Sequence, residues 1–129
     1  MESGNRIRVL LVDDDVRVRQ ILNSILKPYS NIEVVGEASD GDEAVTSVGM
    51  LRPAVVVMDI SMRKMDGITA ARLIKAQHPS VRVVGCSAHS EEYNIYVMKR
   101  VFAFEALLKK EDATKELYPA IQRVIAAGN

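Results

Sequence analysis

An internal disulfide is closed to this chain. Cys86 is its sole cysteine, so no internal bridge can form and nothing points to an oxidising compartment. Neither sign of charge is in excess, with 17 Lys and Arg against 17 Asp and Glu. That argues against holding nucleic acid or an anionic membrane by bulk electrostatics, which needs clustered basic residues, although a small basic patch is not excluded. No apolar run approaches the roughly 18 to 20 residues of a membrane-spanning helix. The first residues, Met1 to Arg6, lack the charged-then-apolar form of a signal peptide. An internal linker, a repeat and a low-complexity stretch are also missing. One domain across residues 1–129 is therefore expected, cytoplasmic, with no membrane contact and no nucleic-acid binding of its own. The length suffices for one sizeable core.

What the chain does have is alternation. Short apolar runs at Ile7 to Val12, Ile32 to Val35, Val55 to Met58, Val81 to Cys86 and Ala106 to Leu108 read as strands. They are continuous rather than alternating, as in a sheet buried on both faces, hence parallel and covered by helices. The segments between them carry helical spacing. Val18, Ile21, Leu22, Ile25 and Leu26 stop before Pro28, and Asp40 with Glu43 forms a capping-box pattern. A third helix begins near Asp66-Gly67 and ends at His78 before Pro79. A fourth covers about Glu91 to Val101. A fifth carries Leu117, Ile121, Val124 and Ile125 and stops at Gly128. Strict alternation of five strands and five helices gives a doubly wound α/β sheet, whose strand order periodicity alone does not fix.

The chemistry lies in what ends each strand. The first run is followed by Asp13-Asp14-Asp15, the third by Asp59, the fourth by Ser87 and the fifth by Lys109. In an open parallel sheet these carboxyl ends line one crevice, where ligands bind. Carboxylates brought together there repel one another unless a cation is present. Mg²⁺ suits the site, since it binds through one or two carboxylates plus phosphate oxygens. Lys109 adds a flexible positive charge, Ser87 a hydroxyl donor, and Asp59 a carboxylate able to form an acyl phosphate. Asp15 reads better as a helix N-cap than as part of the site. Cys86 reads as a small buried residue.

The runs Leu11-Val12-Asp13-Asp14-Asp15 and Val57-Met58-Asp59-Ile60-Ser61-Met62-Arg63-Lys64-Met65-Asp66-Gly67, with Ser87 and Leu107-Leu108-Lys109, resemble the receiver domains of two-component response regulators. The stretch Ile32 to Gly41 is similar to the nitrate-regulator (NarL-type, or LuxR-type) subfamily, whose members often end in a helix-turn-helix domain. The resemblance implies a flavodoxin-like fold with strand order 2-1-3-4-5. It implies that Asp59 takes a phosphoryl group from a sensor histidine kinase or phosphotransfer protein. Asp14, Asp59 and the Ser61 backbone carbonyl would ligate Mg²⁺ directly, with Asp13 helping through water. Ser87 would hydrogen-bond the phosphoryl group, Lys109 would pair with it, and movement of Ser87 would shift the surface of the fourth helix, fifth strand and fifth helix. It leaves room for a homodimer through that surface and for a DNA-binding output outside this chain. The role is a regulatory switch with only self-catalysed phosphoryl chemistry, not an enzyme.

The chain departs from the family pattern at four places. Arg63 stands where Pro is usual, which loosens the loop after Asp59; the Arg is either solvated or leans toward the phosphoryl group. Ala106 stands where the switch aromatic is usual, leaving Phe102 or Phe104 either to substitute for it or to serve as core. Glu105 replaces a frequent Gly. Pro119 falls inside the predicted fifth helix, where it kinks that helix unless the helix starts later. His89 either lines the rim of the crevice or is an exposed loop residue.

Of three other readings, two remain open on sequence and the flavin module is rejected. A haloacid-dehalogenase-like phosphatase would use Asp13 as nucleophile through Asp13-x-Asp15, against the lack of room for a cap domain. A flavin module is disfavoured by three aspartates that would repel its phosphate. A degenerate receiver would act only as a protein-binding module.

Overall fold

A computed structural model of the chain describes residues 5–60, 62, 65–88 and 104–127. The expected fourth helix, together with Ser61, Arg63, His89 and Phe102, lies outside the described residues. Strands β1 (Ile7–Val12), β2 (Ile32–Ala38), β3 (Val55–Asp59), β4 (Arg82–Ser87) and β5 (Ala106–Lys109) alternate with helices α1 (Val16–Leu26), α2 (Gly41–Leu51), α3 (Gly67–Gln77) and α4 (Ala113–Ala127). A 3₁₀ turn, Lys110–Asp112, joins β5 to α4. The sheet has the order β2-β1-β3-β4-β5, and all four pairings are parallel. This is the flavodoxin-like order that the resemblance implied.

The unalternating strands have a plain cause. Leu10, Val12, Val56 and Met58 pack on one face with Ala44 and Val48 of α2 and Ala70, Ala71 and Ile74 of α3. Their neighbours Val9, Leu11, Val55 and Val57 pack on the other face with Leu22 and Leu26 of α1 and Leu117, Ile121 and Val124 of α4. Strand side chains point alternately to the two faces, so two apolar faces read as one continuous apolar run.

Three helices start on aspartate caps. Asp15 accepts from Arg17 N at 2.9 Å, Asp40 from Glu43 N at 2.8 Å, and Asp66 from Thr69 N at 2.8 Å. Glu43 reaches back to Ser39 N at 2.6 Å, closing the capping box one residue early. Asp15 is therefore the cap that the sequence predicts. Strand β2 runs three residues beyond the predicted Val35 because the ladder slips there: Val9 pairs with Val34, but Leu10 pairs with Gly36. The extra residue is a β-bulge, and Gly36 fits beyond it because a Cβ would meet Leu51 Cδ1 at 2.7 Å. Helix α4 runs through Pro119, which is exposed. Its missing N–H leaves the Lys115 carbonyl to water rather than to the core, which keeps the interior proline tolerable.

Gly67 matters most for placing the site. Its N–H donates to the Ile60 carbonyl at 2.8 Å, and a Cβ there would lie 2.1 Å from the Asp59 carbonyl oxygen. Helix α3 thus begins in direct contact with the backbone of Asp59. Gly67→Ala is expected to lower stability by about 3 kcal/mol in urea unfolding, because the clash is with backbone that cannot rotate away. A loss below about 1 kcal/mol would mean that the α3 start yields easily.

Candidate functional site

The two central strands, β1 and β3, end at the same edge of the sheet. Asp13 follows β1, Asp59 closes β3 and Ser87 closes β4, and these three are buried, at 1%, 4% and 1% exposure. Asp14 is exposed. One carboxylate oxygen from each of Asp13, Asp14 and Asp59 lies within 4.8 Å of the others. Hard oxygen donors at that spacing fit a divalent ion such as Mg²⁺.

Among the described residues, the cation paired with this cluster is Lys110. Its Nζ lies 2.9 Å from Asp13 Oδ2 and 3.4 Å from Asp59 Oδ1. Lys109 is the last residue of β5, in register with Ser87, whereas Lys110 opens the 3₁₀ turn, where the chain leaves the sheet. The apolar run stops at Leu108, so sequence points to the first lysine after it. Which of two adjacent lysines turns inward is decided by the strand end, which periodicity does not show.

Asp13 is held on every side. Its N–H donates to the Ala38 carbonyl at 3.1 Å, and its Oδ1 accepts from Asp15 N at 2.9 Å. Its backbone carbonyl accepts from Arg19 Nη1 at 2.5 Å, and Arg19 Nε pairs with Glu37 at 2.7 Å. Arg19 carries no sequence signal beyond its position in α1, six residues after Asp13. Further from the site, Glu105 accepts from Val83 N at 2.7 Å and pairs with Lys75 at 2.5 Å, so this unusual residue closes the start of β4. Phe104 is 1% exposed and serves as core.

Three titrations follow from these contacts. Burial alone would lower the Lys110 pKa, but the hydrogen bond to Asp13 and the charges of Asp59 and Asp13 outweigh it and raise it. Cys86 is pushed up to about 12, first by burial and further by Asp59 and Asp13, against the opposing pull of Lys110. It is a buried thiol without thiolate character at neutral pH. Asp15 is held below the usual carboxylate range by the backbone and side-chain hydrogen bonds of Arg17.

The family model for the response regulator receiver domain matches residues 9–122. The chain belongs to that family. Over 90 residues, 70% of the chain, it is 48% identical to the protein-glutamate methylesterase/protein-glutamine glutaminase of the group 3 operon of Rhodopseudomonas palustris, of which the match spans 24%. The chain spans about a quarter of the curated methylesterase relatives that it matches. Among solved structures, the response regulator domain of Thermotoga maritima CheB has a TM-score of 0.83 at 32% identity, covering 92% of this chain and 95% of that one. A LuxR-family two-component response regulator from Aurantimonas has a TM-score of 0.85 at 27% identity, covering 95% and 86%. The receiver is thus a phosphoacceptor switch of two-component signalling, and the phosphatase and flavin readings fall away. No helix among the described residues is long and apolar enough to cross a membrane.

Replacing Lys110 with Met leaves two buried carboxylates without their ammonium. Without a divalent cation this variant is expected to lose about 3 kcal/mol in urea unfolding, against about 0.5 kcal/mol or less for Lys109→Met. A lysine whose pKa is raised by folding contributes its full stabilisation below its unfolded value and loses it as pH rises through the folded one. The gap between the wild-type receiver and Lys110→Met is therefore expected to hold steady up to about pH 10.5 and to narrow above it. Equal losses in the two lysine variants would show that Lys110 is not the cation that matters.

Proposed function

We propose that Asp59 is the phosphoacceptor, that Asp13, Asp14 and Asp59 hold Mg²⁺ with the Ser61 carbonyl as a further ligand, and that Ser87 and Lys110 receive the phosphoryl oxygens. The observation that carries this reading is the position of Asp59. It is a buried carboxylate at the end of the central strand, within reach of the Asp13 and Asp14 carboxylates and the Lys110 ammonium. When bound, Mg²⁺ would neutralise carboxylate and phosphoryl charge. The chain's own residues do the rest. An oxygen of Asp59 attacks phosphorus, the N–P bond of a phosphohistidine breaks, and its electron pair returns to the departing imidazole. Lys110 then exchanges its pairing with Asp59 for one with a phosphoryl oxygen, and Ser87 donates its hydroxyl proton in a hydrogen bond.

The donor is a sensor histidine kinase or a phosphotransfer protein, and the switch acts in the cytoplasm, with residues 1–129 as its single receiver domain and no nucleic-acid binding by that domain itself. Its only chemistry is self-catalysed phosphorylation and dephosphorylation. If Lys110 takes the family's lysine position, the switch position three residues before it is Leu107 rather than Ala106. Leu107 packs against the α2/α3 side of the core, and its Cδ1 lies 2.9 Å from where a Cβ on Gly85 would stand. A branched aliphatic side chain, not a ring, would then report the movement of Ser87. The output is a DNA-binding domain elsewhere in the protein, with dimerisation through the surface around β5 and the last helix. The methylesterase relatives favour an enzymatic output as the second reading.

The test is intact mass after incubation with a small-molecule phosphodonor and Mg²⁺, beside Asp59→Asn. One added phosphoryl group is expected in the wild type, absent in the variant and absent without Mg²⁺. An adduct that persists in Asp59→Asn would move the nucleophile to Asp13. No adduct in either protein, with no binding of a beryllofluoride phosphoryl mimic, would make this a degenerate receiver.

A further inference from the structure

Arg19 makes two structural contacts and is partly buried, with its side chain 14% exposed. From the fourth residue of α1 its guanidinium crosses to the end of β1, where Nη1 donates to the Asp13 carbonyl, and to β2, where Nε meets Glu37. Ala38, the residue after Glu37, accepts the Asp13 N–H. Both sides of the Asp13 backbone are thus tied to the end of β2, one directly and one through Arg19. An exposed ion pair alone is worth little, but this one anchors a donor aimed at a buried backbone carbonyl.

The geometry has a consequence for the neighbouring carboxylate. The carbonyl of Asp13 and the nitrogen of Asp14 belong to one planar peptide unit, so fixing that oxygen fixes where the Asp14 Cα stands. Asp14 is the exposed member of the acidic cluster, with less packing around it than the buried Asp13 and Asp59. We propose that Arg19 is a positioning residue: through the Asp13 carbonyl it holds the Asp13–Asp14 peptide so that Asp14 joins Asp13 and Asp59 as a preformed divalent-cation site. Glu37 keeps the guanidinium turned toward that carbonyl. The inference rests on the reading that the cluster holds Mg²⁺. Outer residues of this kind, which orient ligands without touching the ion, typically govern metal affinity by about 10- to 100-fold.

The test is calorimetric titration of Mg²⁺ into the wild-type protein, Arg19→Met and Glu37→Gln, with thermal unfolding of each followed alongside. Arg19→Met is expected to bind about tenfold more weakly and Glu37→Gln less affected but in the same direction. Phosphodonor labelling rates of all three are expected to converge at saturating Mg²⁺, which a general loosening of the fold would not produce. Wild-type affinity in a folded Arg19→Met overturns the inference and leaves the Mg²⁺ reading standing. Should Arg19→Met not fold, unchanged affinity in Glu37→Gln overturns it instead. Absence of Mg²⁺ binding by the wild type overturns the Mg²⁺ reading, and this inference with it.

Discussion

Two buried carboxylates at the ends of adjacent strands, drawn together over the Lys110 ammonium, are the constraint that organises this molecule. A parallel sheet brings Asp13 and Asp59 to one edge because β1 and β3 are neighbours that stop together. Burying a carboxylate without a partner costs far more than any one contact returns. The surroundings accordingly hold Lys110 and the Asp15 amide against the Asp13 carboxylate, while Arg19 holds the Asp13 backbone carbonyl. A divalent cation among these carboxylates would offset part of their charge before a phosphoryl group arrives.

Much of the fold was legible because burial on both faces leaves a strong mark in sequence. The five strands, the caps Asp15 and Asp40 and the start of the third helix near Asp66-Gly67 followed from residue type and spacing, whereas Ile21 of the first helical stripe is exposed. Legibility failed where one residue of register mattered. The Gly36-Glu37 pair breaks the apolar run at Val35, although a bulge lets β2 continue to Ala38. Lys109 and Lys110 differ by one position and nothing in composition separates them, yet only the turn after β5 swings an ammonium over Asp13 and Asp59. Arg19 was invisible for another reason. Its partners are a backbone carbonyl and a residue 18 positions away, and neither leaves a local pattern.

The departures from family habit separate by location. Pro119 sits on the solvent side of α4 and leaves the packing of Leu117, Ile121 and Val124 intact. Glu105 completes the edge of β4 where β5 has not yet begun, with Lys75 neutralising it. Both lie away from the carboxylates, so the site's electrostatics are insulated from them.

The slip in β2 also bears on how the chain behaves in a crowd. As an end strand, β2 offers backbone groups to any passing strand, which is the geometry from which edge-to-edge association grows. Its bulge breaks the regular spacing that such pairing needs, and Glu33 and Glu37 line it with charge, each already engaged with an arginine of the same chain. A flat apolar ribbon of this length would be a template for aggregation. This one is kinked and charged, and so a poor surface for another strand to join.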